Sequence, residues 1–177
     1  MTRSIFAAIV AIVLAVPAYA MTNDSASIIS LVRATEALAI DTTVTGPGWN
    51  SKTHPFVKLV GRETQPGGYI DSDRASIGFL DGGTQVMAVP LESGGSGGVF
   101  TQILFAQGPD DRQPYYAGAI ESGGHLGVNI TFHGIVAVFP DYGPNDPNCC
   151  PSKYAIETYS IAGRHLKLQS RRTAVKP

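Results

Sequence analysis

The pattern of hydrophobic and polar positions changes once along the chain, near residue 40, from a helical spacing to an alternating one. Candidate N-cap side chains stand at residues 23–25, and the apolar positions after them are spaced by three and four residues. These apolar positions are Ile28, Leu31, Val32, Leu38 and Ala39. The spacing predicts one amphipathic helix over residues 25–39, buried along one face.

From residue 56 onward the pattern is typical of short strands separated by Gly-rich and Pro-rich turns. The clearest alternation lies at residues 126–133, where Leu126, Val128, Ile130 and Phe132 share one face of the predicted strand. About eight such strands after one helix indicate an α+β, mostly β fold. We expect the N-terminal helix to pack on a curved antiparallel sheet or an incomplete barrel.

The first twenty residues have the pattern of a signal peptide. Arg3 gives a positive start, residues 5–16 are apolar, and Ala18-Tyr19-Ala20 fits a cleavage motif. The apolar run is shorter than the ~20 residues that a membrane span needs. We therefore expect cleavage after Ala20, no membrane insertion of the mature chain, a single domain over residues 21–170, and a loose basic tail at 171–177.

Composition and charge narrow the function classes. The 177 residues carry 13 Lys and Arg against 14 Asp and Glu, a formal net charge of -1. A dedicated nucleic-acid binder usually presents a strong positive field, so we expect no nucleic-acid partner. No sequence motif indicates a cofactor, so none is expected, and the oligomeric state is unreadable from the sequence.

The segment Gly94-Gly95-Ser96-Gly97-Gly98 fits the G-x-S-x-G pattern of a hydrolase nucleophile, with Asp141 and His165 later in the chain. That pattern requires a helix after the serine, whereas residues 99–107 have strand character. The segment is therefore interpreted as a hairpin tip, with Ser96 as a surface candidate and no catalytic residue assigned.

Asp71 and Asp73 begin like a calcium-binding loop, but Ser76 stands where an EF-hand needs glycine and Gly82 stands where it needs glutamate. An EF-hand is therefore excluded. An irregular calcium site at these two aspartates stays open beside the simpler interpretation that they solvate a turn. We assign no metal ligands.

The most specific segment is residues 143–152, where the chain's two cysteines, Cys149 and Cys150, are adjacent. Export makes oxidation favourable, although neighbouring Cα atoms lie ~3.8 Å apart, below the usual ~4.4–6.8 Å span of a disulfide. A strained vicinal disulfide and two free thiols are both compatible with the sequence, and we expect the disulfide. Asn145, Asp146 and the two cysteines are the candidate interaction residues of this loop.

The two motifs together resemble the LppP/LprE lipoproteins. The residues that carry the resemblance are Glu-Ser-Gly-Gly-Ser-Gly-Gly-Val-Phe at 92–100 and Asn-Asp-Pro-Asn-Cys-Cys-Pro-Ser at 145–152, within a match over about residues 70–170. The signal sequence lacks the lipid-modified cysteine of a lipoprotein, and the region before Asp81 matches poorly. The resemblance implies an envelope or secreted β domain and transfers no catalytic residues.

We therefore expect a secreted or periplasmic, non-enzymatic binding or envelope-associated domain whose partner is an unidentified ligand or envelope protein. The alternatives are a small extracytoplasmic enzyme and a thiol-redox protein that uses the Cys149-Cys150 loop.

Overall fold

Two antiparallel sheets and one α-helix make up the described part of the chain. The computed structural model describes residues 20–42, 54–61, 67–94, 98–147 and 150–175. The helix is α1 (Ser25–Arg33). The strands are β1 (Leu38–Asp41), β2 (Phe56–Leu59), β3 (Gly68–Ile70), β4 (Ser76–Phe79), β5 (Gln85–Glu92), β6 (Val99–Gln107), β7 (Tyr115–Glu121), β8 (Gly127–Thr131), β9 (Gly134–Asp141), β10 (Lys153–Ala162) and β11 (His165–Val175).

Seven strands form a large sheet in the order β1-β2-β3-β5-β6-β7, with β4 also paired to β5. The other four form a small sheet in the order β11-β10-β9-β8. The predicted mostly β fold with one N-terminal helix is confirmed, as two open sheets and no closed barrel.

Strands β5 and β6 are buried on both faces because they lie in the middle of three layers. On one face, Met87 and Phe105 pack in an apolar cluster that includes Ile28 and Val32 of α1. On the other face, Val86 and Leu104 pack in a cluster shared with β9 and β10 of the small sheet. Burial on both faces explains why β5 and β6 have long apolar runs rather than strict alternation.

The helix is shorter than its pattern predicts, so the expectation of a helix to residue 39 is wrong. Asp24 caps its start by accepting a hydrogen bond from the Ser27 N–H at 2.9 Å, and the helix ends at Arg33. Leu38 and Ile40 then point to the same side of strand β1, where both pack in the cluster beneath α1. A spacing of two residues between these apolar positions is that of a strand.

The predicted basic tail is also wrong for residues 171–175, which continue β11. They pair with β10, and Arg171 lies directly opposite the buried Glu157. The alternation at 126–133 is confirmed as a strand, but β8 ends at Thr131 and Phe132 is 59% exposed in the turn to β9.

Candidate functional site

In the part of the chain that the structure describes, the small sheet packs on only part of the large sheet. Among the described residues, the apolar cluster between the sheets has members from β5, β6 and β7 but none from β1, β2 or β3. Leu38, Val57 and Ile70 show that these three strands turn their other face toward α1. No described residue of the small sheet packs on the opposite face of β1, β2 and β3, and we call this surface the open face.

Strand register aligns four side chains across this face. Asp41 lies opposite Phe56, Phe56 opposite Tyr69, and Tyr69 opposite Glu92 of β5. Directly opposed residues have Cβ atoms ~4.5–5.5 Å apart, so the side chains form one continuous row. A carboxylate stands at each end of the row and two aromatic rings stand in the middle.

The rings of Phe56 and Tyr69, in the middle of the row, contact each other. The centroids of Phe56 and Tyr69 lie 5.0 Å apart with the planes inclined by 68°, an edge-to-face contact. The Lys58 ammonium lies 5.9 Å from the Phe56 centroid, within cation–π range. Both rings are half-buried, whereas Asp41 and Lys58 are exposed. An open groove of about 350 Å³ lies here, lined by Ala39, Ile40, Asp41, Phe56, Lys58 and Tyr69.

Glu92 closes the row at its inner end. It is 6% exposed, and Arg74 Nη1 donates to its Oε1 at 2.5 Å. Arg74 belongs to a 3-10 turn over Ser72–Arg74, which Asp71 caps by accepting a hydrogen bond from the Asp73 N–H at 3.2 Å. Asp71 and Asp73, the candidate calcium ligands, thus belong to a turn that positions Arg74 against Glu92. Within the described ranges, no three His, Cys, Asp or Glu side chains gather as a metal site.

A second buried carboxylate lies in the small sheet. Glu157 of β10 is 6% exposed, and Arg171 Nη1 lies 3.2 Å from its Oε1. The Tyr159 hydroxyl donates to Glu157 Oε2. Burial, together with this hydrogen bond, raises the pKa of Tyr159, so the phenol stays protonated. The arrangement neutralises a carboxylate on the inner face of the sheet and fixes β11 against β10.

In the 143–152 loop, Asp146 makes internal hydrogen bonds, whereas Asn145 and Cys150 are exposed. Asp146 Oδ2 accepts from the N–H groups of Ser152 and Gly143, both at 2.8 Å, and from the Ser152 hydroxyl at 2.9 Å. These bonds lower the pKa of Asp146. Asn145 and Cys150 are exposed, and the Cys150 N–H donates to the Pro147 carbonyl at 2.9 Å. Asp146 therefore holds the two sides of the loop together.

Two of the candidates lie outside the described residues: Ser96 and Cys149. The disulfide between Cys149 and Cys150 thus stays a prediction, as does signal cleavage, since residues 1–19 are also outside. The Ser96 hairpin joins β5 and β6 of the large sheet, whereas the 143–152 loop joins β9 and β10 of the small sheet. The candidates belong to different elements, and none is on the open face.

The open-face residues were not identified as candidates from the sequence, because the pairing of their strands was not recognisable from local patterns. The helical interpretation of residues 25–39 absorbed half of β1, so Asp41 had no strand neighbours. Phe56 was assigned to a strand correctly, but pairing with Tyr69 depends on long-range register. Alternation of Val57 with Phe56 and Lys58 was the available sequence signal.

Comparisons with known proteins add no information about the function of the open face. The chain matches no protein-family model, no curated protein and no solved structure. The resemblance to the LppP/LprE lipoproteins therefore stays a prediction. Among the described residues, no helix has the length and hydrophobicity that crossing a membrane requires.

Proposed function

We propose that this chain is an exported, non-enzymatic binding domain that takes a saccharide on its open face. The observation that carries the proposal is the row of Asp41, Phe56 and Tyr69, with Lys58 beside it, in a groove of about 350 Å³. That volume falls near the lower end of the ~300–1,000 Å³ typical of ligand sites, and suits one or two sugar rings.

The chemistry of the groove favours this ligand class. A sugar ring has an apolar C–H face and a rim of hydroxyl groups. Phe56 and Tyr69 supply half-exposed apolar surface for the ring face. The Asp41 carboxylate accepts hydrogen bonds from hydroxyl groups, and the Lys58 ammonium donates to them. Asp41 lies opposite Phe56 and Lys58 lies beside the same ring, so charges of both signs border the groove. This suits a neutral polar ligand better than an ion of one sign.

The location of the groove agrees with binding rather than with packing. Half-exposed aromatic residues gathered with charged residues on one sheet face, as they are among the described residues here, are typical of interaction surfaces. The predicted cleavage after Ala20 supports a location outside the cytoplasm, where envelope saccharides are present. The resemblance to exported lipoproteins supports the same compartment.

The test is calorimetric titration of the mature chain with a panel of mono- and disaccharides, with short neutral peptides as the competing ligand class. Phe56→Ala should weaken saccharide binding at least tenfold, because it removes the ring at the centre of the row. Phe132→Ala is the matched control, since Phe132 is equally aromatic and 59% exposed but lies in the turn between β8 and β9.

Lys58→Ala and Lys167→Ala form a second pair, because both lysines are exposed and Lys167 lies on β11 of the small sheet. Only Lys58→Ala should weaken binding. Saccharide binding that survives Phe56→Ala, binding of peptides alone, or no binding at all would overturn the proposal.

A further inference from the structure

Both the side chain and the backbone of Met21 are held by the fold. Met21 is 6% exposed and packs in the apolar cluster beneath α1, whereas Ala20 is exposed. The Met21 N–H donates to Gln85 Oε1 at 2.9 Å, and Gln85 Nε2 donates to the Met21 carbonyl at 3.4 Å. A single side-chain amide thus binds both backbone polar groups of Met21.

A second glutamine beside Gln85 has an unused acceptor. Gln107 lies directly opposite Gln85 in the β5–β6 register, so their side chains emerge on the same face, toward α1. Gln107 is 6% exposed, and its Nε2 donates to the Asp111 carbonyl at 3.2 Å. Its Oε1 is buried and has no hydrogen-bond partner among the described residues. A buried acceptor without a donor is rare in proteins and destabilising.

We propose that Gln85 and Gln107 form a binding site for the free α-ammonium group of Met21, which is created by cleavage after Ala20. The inference rests on the predicted cleavage position. A protease of the signal-peptidase class hydrolyses the Ala20–Met21 peptide bond: the water oxygen joins the Ala20 carbonyl carbon, the C–N bond breaks, and the Met21 nitrogen leaves as an amine that is protonated.

The count of donors explains why the cleaved form fits the site. The peptide N–H of Met21 offers one hydrogen, and Gln85 Oε1 takes it. An ammonium group offers three hydrogens. In this proposal one hydrogen stays on Gln85 Oε1, a second is donated to Gln107 Oε1, and the third is left for solvent. Met21 is one of the residues that line an open hollow of about 450 Å³ beside α1.

The charge around the hollow favours a cation. No lysine or arginine is among the described residues that line it. Asp24 lies three residues from Met21, and hydrogen bonds from Ser27 and Thr22 hold the pKa of its carboxyl well below the usual range. Asp24 therefore carries a negative charge, three residues along the chain from the new terminus, at physiological pH.

Two forms of the protein test the proposal: one that begins at Met21 and one with Gly-Ser added before Met21. Each is released from a fusion by a site-specific protease, so the sequences are otherwise identical. The first measurement is the rate at which an amine-acylating reagent labels the α-amino group, read by mass spectrometry. The Met21 form should react at least tenfold more slowly than the extended form, because its amine is held by hydrogen bonds to two side chains. Equal rates would overturn the proposal.

The second measurement is the effect of Gln107→Met on the melting temperature of both forms. In the Met21 form the substitution removes an acceptor that the ammonium uses. The fall in Tm should therefore be about 2–4 °C larger in the Met21 form than in the extended form. Loss of the bond to Asp111 is common to both forms and cancels in this difference.

Gln102→Met is the matched control. Gln102 is 7% exposed on the opposite face of β6, and its Oε1 is also buried without a partner among the described residues. It should change both forms equally. A Gln107→Met effect that is the same in both forms, or N-terminal sequencing of exported protein that starts at a residue other than Met21, would contradict the proposal.

Discussion

The two ends of the large sheet differ on the face opposite α1, although one hydrogen-bonded sheet forms both. Where the small sheet covers it, this face carries aliphatic side chains that are at most 1% exposed, such as Val86, Ala88, Leu104 and Ala106. Where the small sheet ends, the face carries Asp41, Phe56, Lys58 and Tyr69. The second layer, and not the backbone, therefore decides which end of this face is buried core and which end stays partly exposed among the described residues.

The largest expected effect tests the covered end. Leu104→Ala should lower the free energy of unfolding by about 2–5 kcal/mol, because it leaves a cavity between two packed layers. Phe56→Ala at the open end should cost about 1 kcal/mol or less, since that ring is already half in water. Urea unfolding of both variants measures the difference. Equal losses would show that the open end is part of the core.

The second effect concerns the buried carboxylate of the small sheet. Arg171→Ala leaves Glu157 buried without its charge partner and should cost about 1–2 kcal/mol, reduced from the value for a fully buried pair because Arg171 is 55% exposed. Arg172→Ala is the control, because the adjacent arginine points to the other face of β11. Chemical denaturation compares the two variants, and equal stabilities would contradict a role for Arg171 in holding Glu157.

A smaller, local effect is expected at Asp146. Its folded pKa lies below the ordinary value of ~3.9, so the order that it gives the loop is present above about pH 4 and is lost as the pH falls through the lower folded pKa. Asp146→Asn should speed amide exchange at Gly143 and Ser152 at neutral pH. Asn145→Ala, one residue away and exposed, should leave those rates unchanged. Amide exchange followed by NMR decides between these outcomes.

The smallest effect on stability is expected from replacing Cys149 and Cys150 with serine. A disulfide between adjacent residues closes almost no loop, so it removes little entropy from the unfolded chain, and Tm should barely change. Intact-mass measurement after alkylation tests the bond itself. Two alkylated thiols in unreduced, denatured protein would show that the predicted disulfide does not form.

The sequence predicted those parts of the fold that depend on local patterns. The strands β5 and β6 follow from runs of apolar residues, and β8 follows from the alternation of apolar and polar residues. The start of α1 follows from the capping side chain of Asp24. The end of α1 was wrong because Leu38 fits a helical spacing as well as a strand spacing. The end of β11 was wrong because Arg171 has no local signal and is held by Glu157, fourteen positions earlier in the chain.

The open face could not be predicted from local patterns, because it too depends on contacts between residues that are distant in the sequence. Asp41, Phe56, Tyr69 and Glu92 come from four strands, and only the register of a folded sheet places them in one row. Conversely, the sequence drew attention to the 143–152 loop because its composition is unusual. Asp146 shows that part of this composition serves the internal hydrogen bonds of the loop.

The most direct test of the proposed binding surface is NMR titration of the isotope-labelled mature chain with the saccharide panel. Saccharide binding on the open face predicts that the largest amide shift changes map to β1, β2 and β3, around Asp41, Lys58 and Tyr69, with little change at residues 143–147 and 150–152. Shift changes confined to the 143–152 loop, or none with any saccharide, would contradict it.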